Sequence, residues 1–173
     1  PGVNIMRSPV CGRNFEYFSE DPYLSAQMAV PFIKGLQQNG VAAVVKHFAL
    51  NNMEWGRKRI DSRADERTCH EIYFPAFRAA VEDADVAAVM DSYNLVNGFY
   101  ATESLWLNNK VFRDMWGFKG VVMSDWGATH STGRAMRGGL DLDMDGKNQA
   151  KYFNRDSLKT VLGNEGITLK MID

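Results

Sequence analysis

The chain has 173 residues, enough for one domain with its own core, and its 45% hydrophobic and 24% charged residues are ordinary for a globular protein. Twenty Lys+Arg against 21 Asp+Glu leave a net charge of -1, so no basic face is implied and neither nucleic acid nor an anionic membrane is an expected partner. Cys11 and Cys69 are too few for a disulfide framework, and no apolar run is long enough to span a bilayer.

Asp21-Pro22 supplies an N-cap and a first-turn proline for a helix that Gly40 stops. VAAVVKHF (residues 41–48) reads as the first strand. Asp65-Glu66 opens a helix to about Asp83, with Ile72, Phe77 and Val81 among its apolar positions and a kink expected at Pro75. VAAVMDSY (86–93) is the second strand. Thr102 is expected to cap a helix carrying Leu105, Val111 and Phe112 down to Trp116. GVVMSDW (120–126) is the third strand and LDLDM (140–144) a shorter fourth. A helical stretch begins near Asp156, and a second helical pattern is still running at Asp173.

Near-continuous apolar runs alternating with helices predict parallel strands buried on both faces. Two architectures compete, a (β/α)8 barrel and an open doubly wound sheet. The open sheet, as in nucleotide-binding proteins, predicts a phosphate-cradling glycine loop, and neither GxGxxG nor GxxxxGK[ST] is present. Polar residues crowd the C-terminal ends of three strands: Lys46-His47, Asp91 to Asn94 and Ser124 to Trp126. Barrel enzymes place their active sites there. A complete barrel needs about 250 residues. The fold class expected is therefore α/β, a partial (β/α)8 TIM-barrel-like domain truncated at both ends and occupying residues 1–173. The sequence starts at Pro1 with no initiator Met or signal-peptide pattern, so the natural start and any targeting segment are expected upstream. No compartment follows from this, with a secreted or periplasmic one set ahead of the cytoplasm.

Asp125 ends an apolar strand, followed by Trp126. It reads either as the cap of the next helix or as a nucleophilic carboxylate beside an aromatic wall for a sugar ring. Lys46 and His47 are consecutive on a strand, so regular geometry would send them to opposite faces. For both to reach one pocket, a bulge or irregular peptide is expected there. They would donate to sugar hydroxyls, and Lys46 would help keep a nearby carboxylate ionised. Arg13, in GRNFEYFSEDP (12–22), reads as a salt bridge to Glu16 or Glu20, or as a fork on two adjacent hydroxyls. Arg57, in the polar loop 51–62, has the same two readings. Tyr93 is either a core tyrosine or a partner that orients the carboxylate. His47, His70 and His130 show no metal-ligand spacing, and no metal or cofactor is called for.

Six segments in this order resemble glycoside hydrolase family 3 over residues 1–145: PGVNIMRSP, GRNFEYFSEDP, KHFALNNMEWGR, DERTCHEIYFPAF, AVMDSYNLVNG and WGFKGVVMSDWGA. The resemblance implies a retaining β-glucosidase-type hydrolase with Asp125 as nucleophile. It implies that Arg13, Lys46, His47, Arg57, Met90, Tyr93 and Trp126 line the glucose subsite, with Tyr93 close to the nucleophile. Cys11 and Asp91 stand where smaller residues are usual. The family's sugar-binding Asp upstream of Pro1, and the acid/base Glu of a downstream α/β-sandwich domain, are not in this chain. The N-acetylglucosaminidase branch carries KHFPGHG; here Lys46-His47-Phe48 continues as Ala49-Leu50-Asn51-Asn52, which favours the glucosidase or xylosidase branch.

The expected substrate is a β-linked oligosaccharide or aryl β-glucoside. A reading of a different class makes the chain a non-catalytic fragment that needs a complementary chain, or further domains of the same protein, to fold or act, because an incomplete barrel leaves open sheet edges.

Overall fold

The computed structural model describes residues 1–145, 151–164 and 166–172. A 3-10 turn at Asn14–Glu16 precedes α1 (Pro22–Gln38), which starts where Asp21 Oδ1 accepts the Leu24 N–H at 2.7 Å. Gly40, at φ +76°, turns the chain toward β1 (Val44–Phe48). A long loop leads to β2 (Asp61–Ser62). The helix expected over 65–83 is three pieces: the single turn α2 (Glu66–Thr68), a π-helical turn Cys69–Tyr73, and α3 (Pro75–Glu82). Pro75 has no N–H to continue the ladder, so the chain restarts with it as first residue.

After β3 (Ala88–Asp91), a hairpin pairs β4 (Leu95–Val96) with β5 (Phe99–Tyr100). Its turn is Asn97-Gly98, both at positive φ, the pattern that matches the twist of antiparallel strands. A π-type helix then spans Trp106–Met115. Its cap is Ser104, whose Oγ accepts the Leu107 N–H at 3.2 Å. Thr102, the expected cap, instead donates its buried hydroxyl to the Ala128 carbonyl at 3.1 Å. β6 (Val121–Ser124), α4 (Thr132–Gly138) and α5 (Arg155–Val161) follow. The fourth strand expected at 140–144 is a single bridge between Leu142 and Met123. The N–H groups of Asp141 and Leu142 share the Val122 carbonyl, and Met144 N–H goes to the Ser124 hydroxyl, so no regular ladder extends. The last described element is a 3-10 turn, Leu169–Met171; Asp173 lies outside the described residues.

The strand order is β1-β3-β6, all parallel. Gly2 bridges Lys46 at one edge and Leu142 bridges Met123 at the other. Neighbours thus follow chain order with no reversal. A doubly wound sheet reverses at a switch point, and this one does not.

The register explains which side faces what. Val45, Phe48, Val89, Asp91, Val122 and Ser124 are 0% exposed. They look toward the helices, where α1 packs on α3. Val44, Lys46, Ala88, Met90, Val121 and Met123 alternate with them on the other face, and Val121 is 43% exposed there. Only β3 is therefore buried on both faces, fewer than the apolar runs suggest. Phe48 centres the helix-side core. Its ring lies 5.1 Å from Phe74, 5.0 Å from Phe77 and 4.2 Å from Phe112. The residue before β6 is Gly120, where a Cβ would meet the Ala87 carbonyl oxygen at 2.2 Å.

Candidate active site

β1 is irregular where the Lys-His pair sits. Lys46 pairs with Met90 and Phe48 with Asp91, so His47 is an extra residue between two rungs. The bulge expected from the sequence is present, and the Lys46-His47 and Phe48-Ala49 peptides are cis. Phe48 is thereby returned to the helix-side row, while His47 Nε2 comes within 3.5 Å of Asp125 Oδ2. His47 is buried and its backbone is held by Asn4. Asn4 Oδ1 accepts the His47 N–H, and Asn4 Nδ2 donates to the His47 carbonyl, both at 2.9 Å.

Asp125 follows Ser124 at the end of β6. Its backbone N–H donates to the Asp91 carbonyl at 3.2 Å. Its Oδ1 accepts the Trp126 N–H at 2.7 Å, while Oδ2 is buried without a hydrogen bond. Arg13 Nη1 stands 3.7 Å from that oxygen. The Arg13 Nε is bonded to Glu16 Oε1, and Glu16 Oε2 takes Lys46 Nζ at 3.0 Å. The two basic residues therefore share one carboxylate, and together they hold the Glu16 carboxyl below its usual range against the opposing effect of burial.

His47 is neutral. Burial first, then the positive charges of Arg13, Lys46 and Arg57, push its pKa down to about 2. A neutral ring fits a donor of a single hydrogen bond rather than a second cation.

Arg57 Nη1 is 2.7 Å from Glu54 Oε2, and its guanidinium carbon lies 4.2 Å from the Tyr93 ring centroid. Tyr93 Oη donates to the Trp126 carbonyl at 2.9 Å. The hydroxyl therefore sits on the backbone next to Asp125, close enough to feel that carboxylate as well. Burial, and then the neighbouring charge of Asp125, push the phenol up to about 12. Trp126 is 53% exposed, as an open stacking surface would be. Met90 is buried on the Lys46 face of the sheet.

The structure brings Arg13, Lys46, His47 and Asp125 into one cluster through the contacts above. Tyr93 joins it through the chain at Trp126 and carries Arg57 on its ring. A cavity of about 660 Å3 is lined by Glu54, Arg57 and Ile60 among others, and one of about 620 Å3 by Phe99, Glu103 and Arg134 among others. Neither includes Asp125, Lys46 or His47.

Asp91 is turned away from this cluster. It lies on the helix-side face, fully buried, with Oδ2 accepting Asn108 Nδ2 at 2.9 Å. Burial raises its carboxyl well above the usual range.

The family model for the glycosyl hydrolase family 3 N-terminal domain matches residues 1–173. The chain belongs to glycoside hydrolase family 3. Within that family it is 55% identical over 146 residues to a β-glucosidase of Rhizobium radiobacter, covering 84% of this chain and 18% of that protein. It is 46% identical over 176 residues to an exo-α-(1→6)-L-arabinopyranosidase of Bifidobacterium longum, covering 100% of this chain and 23% of that protein. The solved β-glucosidase of Kluyveromyces marxianus in complex with glucose superposes with a TM-score of 0.96 at 39% identity, over 100% of this chain and 21% of that one. β-Glucosidase 3B of Thermotoga neapolitana gives 0.92 at 42%, over 99% and 25%. The family 3 chain thus spans about a fifth to a quarter of the relatives it matches. Their likeness and the strand order agree on a partial α/β barrel, with no closed barrel among the described residues.

Sequence reasoning did not single out Asn4 or Glu54, and it saw Glu16 only as a partner of Arg13. Asn4 and Glu54 lie inside the PGVNIMRSP and KHFALNNMEWGR segments, but nothing in their spacing says what they touch. The Asn97-Gly98 hairpin was missed as well, although an Asn-Gly pair between apolar residues is its signal.

Proposed function

We propose that the intact protein releases terminal β-linked glucose, or xylose, with retention, and that Asp125 is its nucleophile. One observation supports this above the others. Asp125 closes a barrel-type strand and keeps Oδ2 free of hydrogen bonds, with Arg13 at 3.7 Å and His47 at 3.5 Å. A carboxylate serving only the turn would need Oδ1 alone, which takes the Trp126 N–H.

In this reading Oδ2 attacks the anomeric carbon as the glycosidic C–O bond breaks. The leaving oxygen takes a proton from an acid/base carboxyl supplied from outside this chain, about 5 Å from the nucleophile. Water, deprotonated by that same carboxyl, then hydrolyses the glycosyl-Asp125 ester. Arg13, Lys46 and His47 hold ring hydroxyls, and Trp126 stacks on the ring. The Bifidobacterium longum relative, which matches the whole chain, makes α-L-arabinopyranosides the second substrate class to assay.

The test is trapping. The intact protein is incubated with 2,4-dinitrophenyl 2-deoxy-2-fluoro-β-glucoside and digested with trypsin. The fluoroglucosyl mass should appear on the peptide of residues 120–134 and map to Asp125. Asp125→Ala should abolish turnover of p-nitrophenyl β-glucoside while glucose still binds. Full activity in that variant, or a label on another residue, overturns the assignment. The isolated 173-residue chain offered the same substrate tests whether it acts without a complementary chain.

A further inference from the structure

Among the described residues, Glu16 is the one carboxylate that touches both Arg13 and Lys46, two of the basic residues bordering Asp125. Its oxygens are divided: Oε1 bonds Arg13 Nε and Oε2 takes Lys46 Nζ at 3.0 Å. Arg13 and Glu16 sit on the same 3-10 turn, and Lys46 comes from β1. One side chain therefore ties the turn to the strand edge. Using Arg13 Nε for this contact leaves the outer guanidinium nitrogens unspent, and Nη1 is the one aimed at Asp125 Oδ2. The Glu16 side chain is 17% exposed, so water screens the arrangement only partly.

We propose that Glu16 is a positioning residue for sugar binding. It holds Arg13 and Lys46 with their remaining donors turned toward the ring, and it offsets the repulsion between two cations forced together. This deepens the glycosidase reading and rests on it. Without the carboxylate, the two long side chains must be ordered by the sugar itself, and ordering them weakens binding. The groups held are not the reacting ones, so the loss falls on binding common to ground and transition states.

The experiment compares intact wild-type protein with Glu16→Gln and Glu16→Asp. Glu16→Gln keeps size and shape and loses charge. Glu16→Asp keeps charge and shortens the reach, so it still serves one of the two cations. Glu16→Gln should lower kcat/KM for p-nitrophenyl β-glucoside about 10- to 100-fold, mainly through KM, the range set by one charge-assisted hydrogen bond. Glu16→Asp should lie between it and wild type. A role in shape alone gives the reverse order, because Gln is the closer isostere. A second readout needs no activity: reductive methylation of Lys46, followed by mass spectrometry with Lys58 as internal control, should be faster in Glu16→Gln.

Unchanged Lys46 labelling overturns the proposal. So does a Glu16→Gln kcat/KM within twofold of an active wild type, or Glu16→Gln outperforming Glu16→Asp. If wild type cleaves no glycoside, the glycosidase reading fails by itself. The labelling then still decides whether Glu16 holds Lys46.

Discussion

The Asn4 side-chain amide and the His47 peptide form a closed pair, with the amide accepting the His47 N–H and donating to the His47 carbonyl, each at 2.9 Å. The side chain does what a neighbouring strand would do for a bulged residue, which has lost its own rungs. This matters because His47 and its neighbour reach the same cluster only while the bulge stands.

Asn4→Ala leaves two buried backbone groups unpaired. Each costs about 1–3 kcal/mol, so the variant should lose about 2–6 kcal/mol of stability by urea denaturation. Asn4→Asp keeps the acceptor and loses the donor, and should fall between the two. A loss below about 0.5 kcal/mol, the size of an ordinary surface effect, would show the pair to be incidental.

Stability should fall in mild acid because of His47. The folded ring resists protonation down to about pH 2, whereas the unfolded ring takes a proton near the ordinary histidine value of 6.5. The contribution of the neutral ring is whole above pH 6.5 and is lost as pH falls below it, by up to about 1.4 kcal/mol per pH unit. Denaturation midpoints at pH 7, 6 and 5 check this. His47→Gln should flatten the slope over that window.

Asp91 acts in the opposite sense. Its folded carboxyl is raised by burial, so the folded state holds a proton that the unfolded state releases above the usual carboxylate range. Stability therefore declines as pH rises through that range. Asp91→Asn removes the dependence and can donate to Asn108 Oδ1, which is buried without a partner. It should stabilise the protein at pH 7 by at least about 1 kcal/mol, with the gain shrinking toward pH 4. A destabilised variant at pH 7 would contradict this.

Phe48→Ala should be severe. The ring is fully buried among Phe74, Phe77, Phe112 and Trp116. Removing it costs about 3–5 kcal/mol, readable as a lowered urea midpoint. Because Phe48 also re-enters the helix-side row just after the bulge, sugar affinity should fall with it.

Tyr93→Phe removes the donor to the Trp126 carbonyl and keeps the ring under Arg57. The peptide that carries Asp125 loses one anchor, and kcat should drop about tenfold, the worth of one neutral hydrogen bond. The matching change in denaturation midpoint should be small, since Trp126 is open to solvent.

Much of the fold was legible. Three apolar runs placed β1, β3 and β6 within three residues of their observed starts, and Asp21 and Pro22 marked the start of α1. The failures have a common cause. Thr102 and Ser104 are both good caps by type, and only packing against the Ala128 carbonyl takes Thr102 out of use. LDLDM has strand composition, yet its N–H groups find a shared carbonyl and a serine hydroxyl first.

By itself the sequence determined which chemistry was on offer: a carboxylate ending an apolar strand, a Lys-His pair ending another, arginines in two loops. It also determined that the two strand residues would need an irregular backbone to act together, since strand side chains alternate strictly. Only the tertiary structure decided how their charges are shared. Residues 4, 16, 46–47 and 125 come from four separate stretches of chain, and local periodicity carries no term for contacts between such segments. That Glu16 spans two cations, that His47 stays neutral and that Asp91 faces the helices are outcomes of distance and burial, which exist only once the sheet has formed.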